Sequence, residues 1–176
     1  MKNDLISKGK HLSFLLRHDT SYKFDKHGWR EIKDLVDNHG YTMSELEEIV
    51  ATNDKKRYEF SLDKKKIRAL QGHSIQVDVE LKEIVPPDVL YHGTATRFLE
   101  QILKTGIKKM SRLYVQLSGN IKTAEEVGAR HGTPVILEID TKKMTEDGIK
   151  FFFSKNEVWL VDYIDPKYIK TIKYNE

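Results

Sequence analysis

Arg17 and His18 stand side by side at the end of the run Leu12-Ser-Phe-Leu-Leu-Arg-His18. A guanidinium fork and an imidazole projecting together can hold a phosphate: the fork bonds two oxygens in parallel, and the ring hydrogen-bonds or carries a proton. The same two groups at a helix C-terminus also gain about 0.3–1 kcal/mol from the helix dipole, so a structural explanation serves equally well. Arg57 in Lys55-Lys56-Arg57 and Arg112 after Ser111 are just as ambiguous, because charge runs are usually solvated faces. Arg68 can equally serve an ion pair. Gln71-Gly72-His73-Ser74 sets a glycine beside His and Ser, a composition that lets backbone N–H groups approach a ligand or simply makes a tight turn. His92-Gly93-Thr94 follows an apolar stretch and precedes a helical one, which suits a nucleotide over a strand end. There is no GxGxxG and no GxxxxGK[ST], so neither a dinucleotide-binding Rossmann fold nor a P-loop is supported.

The bulk properties narrow the classes. The chain has 176 residues, room for one ordinary domain or two small ones. Its 30 Lys+Arg against 27 Asp+Glu leave a net charge of +3. Split after Ile84, 16 basic and 15 acidic residues give +1 and the remaining 14 and 12 give +2. Neither part carries a basic block, so any phosphate site rests on a few placed residues rather than a broad positive field. The absence of cysteine excludes disulfides, thiolate catalysis and thiolate-bound zinc. The seven histidines show no metal-ligand spacing, and no metal is expected. No apolar run approaches the ~20 residues of a membrane helix, and MKNDLISKGKHL lacks the apolar core of a signal peptide. The expectation is a soluble, cytoplasmic protein with no membrane contact. A monomer is expected, since no apolar seam stands out.

Several elements must position these residues. Leu5, Leu12, Leu15 and Leu16 recur at helical spacing and predict a helix ending near Arg17-His18. Lys26-His27-Gly28 reads as a turn. Trp29, Ile32, Leu35 and Val36 mark a second helix stopped by Gly40, and Thr42 to Glu45 has the capping-box spacing of a third, carrying Leu46, Ile49 and Val50. Asn53-Asp54 breaks it. Tyr58–Leu62 alternates like a strand, Asp63–Lys66 is a charged turn, and Ile67–Leu70 returns. Three helices and a charged hairpin fit a winged helix facing nucleic acid, or equally a small helical domain with a solvated hairpin. Ile75, Val77, Val79 and Leu81 predict a further strand, and Val85-Pro86-Pro87-Asp88 is the linker candidate. Beyond it the pattern predicts a strand Val89–Tyr91 running into His92-Gly93-Thr94, a helix Phe98–Leu103 closed by Gly106, and a strand Tyr114–Leu117. A capping box Thr123–Glu126 opens a helix ending near Arg130. Strands at Val135–Ile139, Phe151–Phe153, Val158–Ile164 and Ile169–Tyr174 complete an α+β fold.

Taken together, these segments resemble one family. Leu12–His18, Asp25-Lys-His-Gly-Trp29, Asp54-Lys-Lys-Arg-Tyr58 and Ile67-Arg-Ala-Leu-Gln-Gly-His-Ser74 are similar to the N-terminal half of RNA 2′-phosphotransferases of the KptA type. Leu90-Tyr-His-Gly-Thr94, Tyr114-Val-Gln-Leu-Ser118, Val127-Gly-Ala-Arg-His-Gly132 and Asn156-Glu-Val-Trp-Leu160 are similar to its C-terminal half, in the same order. The resemblance runs from about Leu5 to Ile172. It implies two lobes: a winged helix over residues 1–84 that receives RNA, and an ADP-ribosyltransferase-like split β-sheet lobe over 85–176 that holds NAD.

The resemblance also implies roles. The family's Arg-His-Arg-Arg quartet maps to Arg17, His18, Arg57 and Arg112. Arg17 and Arg112 would grip the phosphate, Arg57 would stabilise charge in transesterification, and His18 would hydrogen-bond the phosphate or manage a proton. The implied reaction has two steps. The RNA 2′-phosphate displaces nicotinamide from NAD, leaving RNA ADP-ribosylated through its phosphate. The neighbouring ribose 2″-hydroxyl then attacks phosphorus, releasing 2′-OH RNA and ADP-ribose 1″,2″-cyclic phosphate. His92, Gly93 and Thr94 would lie on the adenosine side of NAD, Ser118 and Gly72-His73-Ser74 nearer the ribose and phosphates, and Gly106-Ile107 against the adenine. Gln116 stands where the family usually has His, at a position implied to hold the nicotinamide riboside; an amide hydrogen-bonds but carries no proton. The expected substrate is a tRNA-like RNA with a 2′-phosphate. Two other readings compete: an ADP-ribosyltransferase that modifies terminal phosphates of RNA or DNA and stops after the first step, and a non-catalytic winged-helix nucleic-acid-binding module.

Overall fold

Apolar residues on one face of the first helix start the architecture, seen here in a computed structural model that describes residues 2–53 and 55–174. Asp54, expected to break a helix with Asn53 and to open the Asp54–Tyr58 run, lies outside the described residues. Among the described residues six α-helices alternate with twelve short strands, an α+β arrangement. The chain divides into two compact units, one reaching Leu81 and the other starting at Lys82.

In the first unit, helix α1 (Lys2–Arg17) buries Leu12, Leu15 and Leu16. Strand β1 (Arg30–Glu31) leads into α2 (Ile32–His39), which stops on Gly40 in the left-handed region at φ 75°. Only glycine takes that conformation without Cβ strain. Helix α3 (Met43–Thr52) opens on the capping box: the Thr42 hydroxyl accepts from the Glu45 N–H, and the Glu45 carboxylate accepts from the Thr42 N–H. Strands β2 (Tyr58–Phe60) and β3 (Lys66–Ala69) form an antiparallel hairpin, with β1 on the other edge of β3. The helices and this sheet enclose a core of Leu12, Leu15, Leu16, Leu35, Leu46 and Ile67 with their neighbours.

Two expectations in this unit fail. Trp29 precedes β1 instead of opening the second helix; its ring lies under the Arg68 guanidinium, 4.3 Å from the centroid. Residues 75–81 form no strand. Their alternation reflects a chain laid over a surface, with Val77 and Val79 above Gly28. The backbone is tied at separate points, Ile75 N–H to the Arg17 carbonyl and Asp78 N–H to the Lys26 carbonyl, so no ladder forms.

The second unit begins with β4 (Lys82–Glu83), β5 (Leu90–Ala95), α4 (Thr96–Thr105), β6 (Ile107–Lys108), β7 (Val115–Leu117), α5 (Ile121–Ala129) and β8 (Pro134–Ile139). It continues with α6 (Thr141–Glu146), β9 (Phe152–Phe153), β10 (Trp159–Val161), β11 (Tyr163–Ile164), a 3-10 turn (Pro166–Tyr168) and β12 (Ile169–Tyr174). The antiparallel sheets run β4-β9-β10-β7, β12-β8-β5 and β11-β6. Their inward faces share a core that includes Leu90, Val135, Leu137, Ile139, Phe151, Leu117, Val161 and Ile164.

Here too the pattern misreads some ends. His92-Gly93-Thr94 is part of β5, paired with Leu137, Ile136 and Val135, rather than a loop after a strand. Helix α5 is capped by Asn120, whose side chain accepts from the Thr123 N–H, so it starts ahead of the expected Thr123 box. The segment Val158–Ile164 is two strands in different sheets, broken at Asp162. The six-residue α6 carries too little periodicity to announce itself.

Candidate active site

The C-terminus of α1 gathers most of the sequence-marked residues of the first unit. The last carbonyls of a helix have no partner within it and must find one elsewhere. The Arg17 carbonyl accepts from the N–H groups of Ser74 (3.0 Å) and Ile75 (3.2 Å), so the turn after β3 closes onto the helix end. Gly72 permits that turn at φ 88°. The Ser74 hydroxyl lies 2.7 Å from His18 Nδ1 and 3.5 Å from the Arg17 carbonyl. Arg17, 8% exposed, donates from Nη1 to Ser13 Oγ at 2.9 Å. Arg57, half-buried ahead of β2, accepts the Leu70 N–H on its carbonyl at 2.9 Å, beside the residue that leads into Gln71. His73 is buried, with its Nε2 close above Gly28. Arg17, His18, Arg57 and the Gly72-His73-Ser74 turn therefore share one end of this unit.

A second layer fixes that end, and sequence reading missed it. Arg30 is buried and donates from Nη1 to the Leu15 carbonyl and to Asp19 Oδ2, both at 2.8 Å, and from Nε to Asp34 Oδ2 at 2.8 Å. The Tyr22 ring lies 4.1 Å from its guanidinium carbon. Arg30 thus caps α1 and holds the residue after His18. Burial on its own would raise the Asp19 carboxyl; hydrogen bonds from Ser21 and Arg30 outweigh it and hold the pKa at about 2. Asp19 beside His18 was visible in the sequence, but nothing local connected it to Arg30.

In the second unit, β5 and β7 bring His92, Gln116 and Ser118 together. Tyr91 and Ser118 exchange backbone hydrogen bonds at 2.9 and 2.8 Å, which sets His92 Nδ1 3.1 Å from the Gln116 carbonyl. Burial lowers the His92 pKa below the usual imidazole range, against the Gln116 carbonyl and with help from His131. The ring is therefore neutral at neutral pH, Nδ1 donates to the carbonyl, and Nε2 is left as an acceptor. The Ser118 hydroxyl donates to the Asn120 carbonyl at 3.1 Å and so shapes the turn before α5.

Gly93 and Thr94 answer to packing. A Cβ on Gly93 would meet the Ala124 carbonyl oxygen at 1.6 Å, and one on Gly128 would meet the Thr94 carbonyl oxygen at 2.6 Å. Strand and helix touch backbone to backbone, and Thr94 is buried between them. Gly106 and Ile107 belong elsewhere: Gly106 ends α4 at φ 88°, while Ile107 pairs with Ile164 and is buried in the core. Arg112 sits in a turn between β6 and β7, its N–H bonded to the Lys109 carbonyl at 3.0 Å. Burial lowers its pKa, but a guanidinium stays protonated at neutral pH.

Comparison with known proteins adds an independent line. The profile of the family described as RNA 2′-phosphotransferase, Tpt1 / KptA family, matches residues 3–163. The probable RNA 2′-phosphotransferase of Fusobacterium nucleatum subsp. nucleatum is 50% identical over 179 residues, covering 97% of this chain and 99% of its own. That of Hahella chejuensis is 45% identical over 180 residues, 98% of this chain and 97% of its own. That of Acaryochloris marina is 43% identical over 181 residues, 98% of this chain and 100% of its own.

Proposed function

The chain belongs to the RNA 2′-phosphotransferase, Tpt1 / KptA family, and from that premise we propose that it removes an internal 2′-phosphate from RNA with NAD as co-substrate. The products are RNA with a 2′-OH, nicotinamide and ADP-ribose 1″,2″-cyclic phosphate. The observation that carries this reading is the gathering of Arg17, His18 and Arg57 at one end of the first unit, with Ser74 bonded to both the Arg17 carbonyl and the His18 ring. A phosphate that is bound and then transferred needs such a set of guanidinium and imidazole groups.

The residues of the second unit fit NAD: a half-buried, neutral His92, whose Nε2 has no hydrogen-bond partner among the described residues, is a suitable acceptor for a ribose hydroxyl. NAD supplies an activated anomeric carbon, nicotinamide as leaving group and a neighbouring hydroxyl for the second step. Arg17 holds the RNA 2′-phosphate. His18, with Nδ1 on the Ser74 hydroxyl, turns Nε2 to the phosphate to hydrogen-bond it or carry a proton. A hydroxyl donates as well as accepts, so it satisfies Nδ1 in either protonation state of the ring. Arg57 stabilises the charge that grows on phosphorus and on the departing RNA oxygen. Arg112 completes the quartet in this reading. The three helices and the β2–β3 hairpin support a winged-helix reading of the first unit, and the small antiparallel sheets support an ADP-ribosyltransferase-like reading of the second.

The test is incubation of the protein with NAD and a short RNA bearing one internal 2′-phosphate, with RNA and nucleotide products followed together. The expected outcome is 2′-OH RNA with ADP-ribose cyclic phosphate. Accumulation of ADP-ribosylated RNA alone would instead mark a transferase that stops after one step. RNA binding without nicotinamide release would mark a binding module.

A further inference from the structure

The face of α1 opposite its core is not an ordinary solvated face. Leu12, Leu15 and Leu16 turn inward. Lys10, Phe14 and His18 recur four residues apart and so line up on the outside. Phe14 is 49% exposed, a large aromatic presented to water. Its ring centroid lies 6.4 Å from that of His18 with the planes at 44°. Lys10, one turn further back, is exposed and forms no ion pair among the described residues. Cation, aromatic and phosphate-binding imidazole in one row is the pattern that tracks a single nucleic-acid strand.

We infer that Phe14 is a stacking platform for the base of the nucleotide that carries the 2′-phosphate. The inference rests on the reading that His18 binds that phosphate. In such a nucleotide the phosphate leaves C2′ of the ribose and the base leaves the adjacent C1′. A phosphate held at His18 therefore keeps its own base within one side chain's reach, and Phe14 is the aromatic surface one helical turn away. Every base has a π-face, so the contact favours a nucleotide over a bare phosphate without choosing among bases. Lys10 then lies where the flanking phosphodiester continues along the helix.

The test compares the wild-type protein with Phe14→Ala and Phe14→Tyr on two RNAs, one with a base at the 2′-phosphorylated position and one abasic there. Phe14→Ala should raise KM for the base-containing RNA by about 5- to 150-fold, the range of one base–aromatic stack. The KM for NAD should stay as in wild type, and Phe14→Tyr should restore the RNA value. On the abasic RNA, wild type and Phe14→Ala should be alike. An equal loss for Phe14→Ala on both RNAs would mean that no base is contacted, and a change in KM for NAD would assign the ring to the co-substrate; either overturns the inference. No change in any constant overturns it too, while the proposed reaction stands. If wild type yields no 2′-OH RNA, the reading of the reaction fails and takes this inference with it. Phe14 is surface-exposed, so an unchanged melting temperature for the alanine variant separates lost stacking from lost structure.

Discussion

Arg57 and Asp19 show how differently two charged side chains near one helix end contribute. Arg57 is half-buried and tied to the fold through its carbonyl, so its guanidinium can serve chemistry without supporting the core. Arg57→Ala is expected to slow the second step of the proposed reaction by about 10²–10³, the usual cost of losing one charge-stabilising donor. ADP-ribosylated RNA should then accumulate in single-turnover assays, and wild-type turnover without that intermediate would rule the role out. Asp19 is structural, and its effect is read in acid. Its carboxyl stands at about 2 in the folded protein against 3.8 in the unfolded chain. The stability it contributes, about 2 kcal/mol, is complete above the unfolded value. It is lost as pH falls from about 4 to about 2. Asp19→Asn should be less stable at neutral pH and show a flatter decline across that window in denaturant titrations; a parallel decline would show that the hydrogen bonds from Ser21 and Arg30 do not depress the carboxyl.

Strand β5 and helix α5 form the scaffold under His92, and their closeness depends on two glycines. At Gly93 a single methyl group would meet the Ala124 carbonyl oxygen, so strand and helix must separate to admit it. Overpacking of this kind costs about 1–3 kcal/mol or more. Gly93→Ala should lower the melting temperature and the soluble yield. Gly119, where a Cβ would project into open space with nothing within 4 Å, should accept alanine within about 0.5 kcal/mol. Equal behaviour of the two variants in thermal melts would show that the close approach does not hold in solution. The His-Gly-Thr run read as a ligand loop because its composition suits one. The partner that explains Gly93 is Ala124, four elements further along the chain, where no local pattern points.

Across the whole molecule the net charge is only +3, so RNA affinity must come from a few positioned cations. For about three to four cation–phosphate contacts the slope of log K against log salt should be about −2 to −3 for a single-stranded RNA. A much steeper slope in binding titrations would mean a broad electrostatic surface that the composition does not provide. Each unit has its own core, built from separate sets of apolar residues. That accounts for the change of pattern along the chain from helical spacing to short alternating strands.

The elements that sequence alone determined are those with local causes. The leucine stripe of α1, the Thr42–Glu45 capping box and the glycine stops at Gly40 and Gly106 depend on interactions within a few residues, and all three appear as expected. The family too was legible, because short motifs in a fixed order survive without coordinates. Tertiary structure decided what depends on residues far apart in the chain. It laid residues 75–81 along a surface rather than in a ladder, split Val158–Ile164 between two sheets, and turned Gly93 toward a helix. It also set Ser74 against His18 and buried Arg30 beneath the end of α1. A hydrogen bond between residues 18 and 74 leaves no trace in the spacing of either segment; it forms because the helix end has carbonyls to satisfy and the turn after β3 brings the N–H groups that satisfy them.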